Sequence, residues 1–255
     1  MRRCRNALLC AEREQHMLTI THLTKRYGEK LAVDDLSLHI APGEIYGFIG
    51  HNGAGKTTTL KAVVGILPFE EGEITVCGVS VRADPLSAKK QLAYIPDNPD
   101  LYEFMTGRQY IALIADLFGV AQAERDALTA RYAAMFGMQD SLGELIGAYS
   151  HGMKQKTALI AALVHKPRLM VLDEPFVGLD PEASFHLKAV MRELCDAGSA
   201  IFFSTHVLEV AQKLCDRVAI IRAGRLVAEG AMQEVVGSWT LEDVFMTEAQ
   251  AHEEQ

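Results

Sequence analysis

No apolar run in this sequence approaches the roughly 18–20 residues of a membrane span, so a membrane helix is excluded and any membrane role must come through a partner. No Cys-x-x-Cys pair occurs either. The five cysteines, Cys4, Cys10, Cys77, Cys195 and Cys215, are odd in number and scattered, which argues against a disulfide framework or a zinc site. They read as reduced thiols of a cytosolic chain. Positive charge is in deficit: 25 Lys and Arg stand against 33 Asp and Glu, a net charge of -8, so no general electrostatic grip on nucleic acid is expected. Internal repeats are absent, and so is the polar composition of a disordered chain. The 255 residues, 49% of them hydrophobic, can fill one large core or two small ones. The N-terminus, Met1-Arg2-Arg3-Cys4-Arg5 before Ala7-Leu8-Leu9, imitates a signal peptide with too short an apolar part. Residues 1–16 are therefore expected to form a disordered extension ahead of the strand that follows Met17.

The most informative stretch is Gly50-His51-Asn52-Gly53-Ala54-Gly55-Lys56-Thr57, followed by Thr58. It fits G-x-x-x-x-G-K-[ST], the phosphate loop, without a mismatch. Gly50, Gly53 and Gly55 are expected to reach positive φ, letting successive N–H groups ring an anion at the start of a helix. Lys56 would bring charge to the β- and γ-phosphates, and the Thr57 hydroxyl would ligate Mg²⁺. Context agrees: Glu44–Ile49 reads as a buried strand and Thr59–Gly65 as a helix.

Around this stretch the chain alternates. Residues 17–23, 32–40 and 73–77 have strand patterns with local connections, which predicts an N-terminal antiparallel β-subdomain. A helical insertion follows, bounded by Asp97-Asn98-Pro99 and Tyr149-Ser150, and the helix after Ser150 carries the helical region to about 165. Thr106 and Gln109 form a capping box within it, and Tyr110, Leu113, Ile114, Leu117 and Phe118 recur at helical spacing. Its aromatic residues read as packing core rather than ligand contacts. Buried strands return at 169–172, 200–203 and 218–221, with a helix starting at Asp180-Pro181. The expected fold is α/β, a P-loop NTPase core with a mainly parallel sheet. Residues 17–236 would form this domain, and 237–255 a C-terminal helical tail.

Further motifs carry chemistry. An apolar strand ending in Asp173-Glu174 puts two carboxylates at a sheet's C-terminal edge, Asp173 suited to Mg²⁺ and Glu174 to orienting and deprotonating a water. Tyr149-Ser150-His151-Gly152-Met153-Lys154-Gln155-Lys156 resembles the ATP-binding cassette signature, usually Leu-Ser-Gly-Gly-Gln followed by basic residues. Ser150 there is a helix N-cap beside the Gly152 backbone. Gly178-Leu179-Asp180 matches the D-loop position of that family, and Ser204-Thr205-His206 places His206 as its switch histidine. Together, across about residues 17–236, these motifs resemble the nucleotide-binding subunit of an ATP-binding cassette (ABC) transporter. The signature, the Asp-Glu-Pro-Phe-Val-Gly-Leu-Asp-Pro segment and the tail Thr240-Leu241-Glu242-Asp243-Val244-Phe245 are similar to ATPases of ABC-2-type exporters.

The resemblance implies more. Tyr27 would stack on adenine. ATP, held with Mg²⁺, would touch His51, Asn52, Ala54 and Thr58 besides the loop's glycines, Lys56 and Thr57. Lys56, Glu174 and His206 would be the catalytic residues. Two such subunits, identical or different, would meet head to tail, with Ser150 and Gly152 reaching the partner's nucleotide, and Asp180 would also belong to the nucleotide-binding residues. An integral membrane permease would dock beside Asn98–Thr106, holding the chain at the inner face of the cell membrane. Two departures stand out: Asp97 replaces the usual Gln of Tyr-x-Pro-Gln, where it can still ligate Mg²⁺, and His151 and Met153 replace Gly and Gln of the signature. Two alternatives stay open: a non-transport ABC ATPase of DNA repair or translation, and a module that senses ATP without hydrolysing it.

Overall fold

The computed structural model describes residues 16–251; the expectation for residues 1–15 and the last few of the tail lie outside it. Two sheets organise the chain. The smaller has order β2-β1-β4-β5 and is antiparallel, built from β1 (Leu18–Tyr27), β2 (Lys30–Ile40), β4 (Glu71–Val76) and β5 (Val79–Ser80). The larger has six strands in the order β10-β9-β3-β8-β7-β6. These are β3 (Ile45–Ile49), β6 (Leu92–Ile95), β7 (Leu169–Asp173), β8 (Ala200–Thr205), β9 (Arg217–Arg222) and β10 (Arg225–Ala231). Pairing is parallel from β9 to β6, and β10 closes the edge antiparallel to β9.

The near-continuous apolar strands follow from burial on both faces, as a parallel sheet requires. Side chains alternate between two cores. Ile45 and Ile49 of β3, Met170 and Leu172 of β7, and Ile201 and Phe203 of β8 join the core formed with the helices. Tyr46 and Phe48, Leu169 and Val171, and Ala200 and Phe202 point the other way, into a core shared with the antiparallel sheet. Helix α1 (Lys56–Val63) packs on that second side through Leu60 and Val63.

The helical region contains α3 (Gly107–Leu117), α4 (Gln122–Met135) and α5 (His151–Val164), after a short α2 (Pro85–Lys89). Thr106 and Gln109 close the capping box reciprocally, Gln109 N donating to Thr106 Oγ1 at 3.2 Å and Thr106 N to Gln109 Oε1 at 2.9 Å. Helices α6 (Pro181–Asp196), α7 (Leu208–Leu214), α8 (Met232–Val236) and α9 (Leu241–Ala251) complete the described chain. No helix among the described residues is long and apolar enough to cross a membrane. Cys77, Cys195 and Cys215 are free thiols.

The structure differs from the sequence reading in three local respects. The helix expected from Thr59 begins at Lys56, capped by Gly55, so Lys56, Thr57 and Thr58 form its first turn. Strand β1 runs past the expected residues 17–23 to Tyr27, because β1 and β2 pair up to Tyr27 and Lys30. Gly53 and Gly55 have positive φ, but Gly50 does not; its need for glycine is close approach, since a Cβ there would meet the Ile221 carbonyl at 2.5 Å.

Candidate nucleotide site

The larger sheet aims its strand ends at one place. Parallel strands β3, β7 and β8 finish side by side, and the segments after them carry Gly50–Gly55, Glu174 and His206. This is the carboxyl edge at which open α/β sheets hold ligands. A cleft of about 440 Å³ lies there, lined by the phosphate loop with Tyr27, Lys30, Ala32, Asp97, Asp173 and Glu174. Gly55 allows another close approach: its φ is 111°, and a Cβ would meet the Ala32 carbonyl at 2.6 Å.

The charged groups are tied together. Lys56, only 6% exposed, donates from Nζ to the Gly50 carbonyl at 2.6 Å and stands 3.4 Å from Glu174 Oε1. Glu174 Oε2 lies 3.0 Å from His206 Nδ1 and accepts from the His206 backbone N–H at 3.3 Å. Ser204 supports both acidic residues, donating from Oγ to Asp173 Oδ1 at 2.5 Å and accepting from the Glu174 N–H at 3.1 Å. Glu174 itself holds a left-handed backbone, φ 48°, which costs a non-glycine residue on the order of 1–3 kcal/mol. Strain of that kind survives only where the surroundings over-determine it, and here the peptide N–H and both carboxylate oxygens are pinned.

Tyr27 stands at the cleft mouth with half its surface exposed, and Lys25 Nζ lies 5.5 Å from its ring centroid. Asp97 lines the cleft through the segment after β6. Near it, burial first and then the charges of Asp173 and Asp97 push the Tyr94 phenol above its ordinary range. The donor chemistry fits Mg²⁺, a hard cation that takes oxygen ligands and shares itself with phosphates. Thr57, Asp97 and Asp173 supply a hydroxyl and two carboxylates to one cleft.

Ser150, Gly152 and Asp180 do not line this cleft; they gather at a second place. Ser150 caps α5, its Oγ accepting from Met153 N at 3.3 Å. A Cβ on Gly152 would sit 2.8 Å from the Gly178 carbonyl, so signature and D-loop segments touch. Lys156 Nζ on α5 pairs with Asp180 Oδ2 at 2.6 Å, while Asp180 Oδ1 caps α6 at Ala183 N, 2.8 Å. The bond from Lys156 holds the Asp180 carboxyl below its ordinary range. His151 fills the step between these segments, within 2.5 Å of where a Gly178 Cβ would stand.

A second groove, about 390 Å³, opens between β6 and the helical region, lined by Tyr94, Pro96, Pro99, Leu101, Tyr110 and His165 among others. Phe104 and Tyr102 are exposed near its start. Sequence reasoning missed Lys30 and Ala32 as cleft residues, and the bracing by Ser204. Lys30 and Ala32 have no motif; only the β1–β2 hairpin and the Gly55 contact bring them in.

A phosphate loop at a parallel strand end, faced by an Asp-Glu pair and a histidine, defines a nucleoside-triphosphate hydrolase. Comparison narrows the class. Residues 33–177 match the ABC transporter family. The Nod factor export ATP-binding protein I of Burkholderia thailandensis is 38% identical over 84% of this chain and 70% of its own length. The linearmycin resistance ATP-binding protein LnrL of Bacillus subtilis is 32% identical over 86% and 70%. A solved ATP-binding subunit of an ABC transporter superposes with a TM-score of 0.88 at 31% identity, covering 91% of this chain and 99% of that one. A dimeric ATP-binding cassette in a post-hydrolysis state with ADP and Pi has a TM-score of 0.77 at 20% identity, covering 85% and 99%, and shares the fold. The chain belongs to the ABC transporter family, as an ATP-binding subunit whose ATP hydrolysis is coupled to transport.

Proposed function

We propose that this subunit powers export through a separate membrane permease, working as one half of a pair of ATP-binding subunits. Export is supported by the relatives, one named for Nod factor export and another for linearmycin resistance. The pairing rests on one observation: the chain carries a phosphate cleft and, outside it, a separate Ser150–Gly152–Asp180 surface. Neither is a full site. Head-to-tail pairing would bring each cleft against the other subunit's surface, as the resemblance implies.

In the cleft, Lys56 and the loop N–H groups would hold the phosphates, and Tyr27 would stack on the base with Lys25 behind it. Thr57, Asp173 and Asp97 would hold Mg²⁺, which would neutralise phosphate charge when bound. Glu174 would take the proton of the attacking water, held in place by His206 and Ser204. Across the interface, Ser150 Oγ and the α5 N-terminus offer donors to the γ-phosphate. The apolar groove beside Pro99 and Leu101 offers the permease a socket, and its docking would keep the chain at the inner face of the membrane.

ATP-driven pairing tests the reading. The Glu174→Gln chain, incubated with MgATP, is expected to run as a dimer in size-exclusion chromatography with light scattering and as a monomer without nucleotide. Ser150→Arg, which places a bulky cation on the second surface, is expected to prevent the dimer. A Glu174→Gln chain that stays monomeric at saturating ATP would remove the composite-site reading.

A further inference from the structure

The C-terminal helix reaches the phosphate loop. The Phe245 ring on α9 lies 4.6 Å from the His51 ring, centroid to centroid, tilted by 56°. His51 is no bystander in the loop. Its carbonyl accepts from Ala54 N at 3.1 Å, closing the turn, and lies 3.4 Å from Lys56 Nζ. The side chain that α9 touches therefore belongs to a residue whose backbone shapes the anion cradle and partners its lysine.

Helix α9 has a fixed start. Thr240 and Asp243 cap it, Thr240 Oγ1 donating to Asp243 Oδ2 at 2.6 Å and accepting from Asp243 N at 3.1 Å. Leu241 is fully buried, and its N–H donates to Gln212 Oε1 at 3.0 Å. Gln212 is on α7, which starts two residues after His206. Leu241, Val244 and Phe245 form one apolar face at helical spacing, with Glu242 and Asp243 exposed. One helix thus spans from the element behind His206 to the first turn of the phosphate loop.

We propose that Phe245 is a positioning residue for ATP binding: through the His51 ring it holds the phosphate loop in shape, and α9 serves as a strut on the nucleotide site. The inference rests on the cleft being the ATP site. An aromatic pair of this geometry changes an equilibrium by about two- to tenfold. The partner of the ring is exposed, so the effect belongs to loop geometry more than to the core.

Steady-state hydrolysis across MgATP concentrations tests it, with melting temperature measured on every variant. Phe245→Ala is expected to raise KM for MgATP about two- to tenfold, with a smaller change in kcat. Phe245→Tyr keeps a ring against His51 and is expected to restore KM. Val244→Ala trims the same helix face away from His51 and is expected to lower the melting temperature while leaving KM alone. In a His51→Ala background, Phe245→Ala is expected to add nothing to KM. The inference is overturned if Phe245→Ala leaves KM unchanged, if it raises KM equally without the His51 ring, or if Val244→Ala raises KM as much. Failure of the wild-type chain to bind or turn over ATP would instead overturn the functional reading beneath it.

Discussion

The Lys56 ammonium and the Glu174 carboxylate stand 3.4 Å apart at the base of the phosphate loop, both largely buried. Phosphate oxygens arriving on the loop compete with Glu174 for the same cation. The other Glu174 oxygen stays with His206, so the carboxylate keeps its orientation while its partner changes. Glu174→Gln removes the competing charge and the base together. Turnover is expected to fall about 10²–10⁴-fold in single-turnover hydrolysis, whereas ATP affinity holds or tightens in equilibrium binding. Near-normal hydrolysis in a clean preparation would remove Glu174 as the base.

Ser204 joins β8 to β7 at the point where both acidic residues emerge. Ser204→Ala leaves Asp173 Oδ1 without its donor and the strained Glu174 peptide with one acceptor fewer. The expected cost is about 1–3 kcal/mol in denaturant unfolding, together with a higher Mg²⁺ concentration for half-maximal activity. A variant with wild-type stability and Mg²⁺ dependence would show the hydroxyl to be idle.

The site was legible in the sequence wherever chemistry runs in short contiguous motifs. Gly50–Thr58 and His206 follow buried apolar strands and Asp173-Glu174 ends one, and parallel strands put their carboxyl ends at one edge of the sheet. The major strands were legible for the same reason: burial on both faces leaves an apolar run in the sequence. Strands β6 and β10 were not. Leu92–Ile95 is four residues long and is a strand only because β7 pairs with it, and Arg225–Ala231 is a partly exposed edge containing Glu229 and Gly230. Contacts between distant positions were invisible altogether. Nothing near Phe245 announces His51, and nothing near Lys156 announces Asp180.

Asp97 lines the cleft together with Asp173 and Glu174, adding a third carboxylate to a site that must accept phosphates. An amide there would relieve repulsion and keep an oxygen for the metal. Asp97→Gln is expected to tighten ATP binding about three- to tenfold at low Mg²⁺. The gain should shrink with added salt and with saturating Mg²⁺, which both screen the charge. Titrations of ATP at two Mg²⁺ and two salt concentrations measure this; identical curves for both chains would mean that Asp97 does not feel the phosphates.

His165, at the end of α5, stacks flat on Phe118, with ring centroids 3.8 Å apart and planes 7° from parallel. Burial pushes its imidazole down to about 4, from an ordinary 6.5. The folded chain thus resists a proton that the unfolded chain accepts. Stability is intact above about pH 6.5 and declines as pH falls from there toward 4, because protons bind preferentially to the unfolded state. The decline from this group approaches about 3 kcal/mol at the acid end. His165→Gln cannot take up the proton, so its denaturant midpoint is expected to change less between pH 7 and pH 5 than that of the parent chain. The two chains should differ most at pH 7, where Gln loses the stacked ring, and converge as pH falls. Parallel pH profiles for the two would assign the acid sensitivity to other groups.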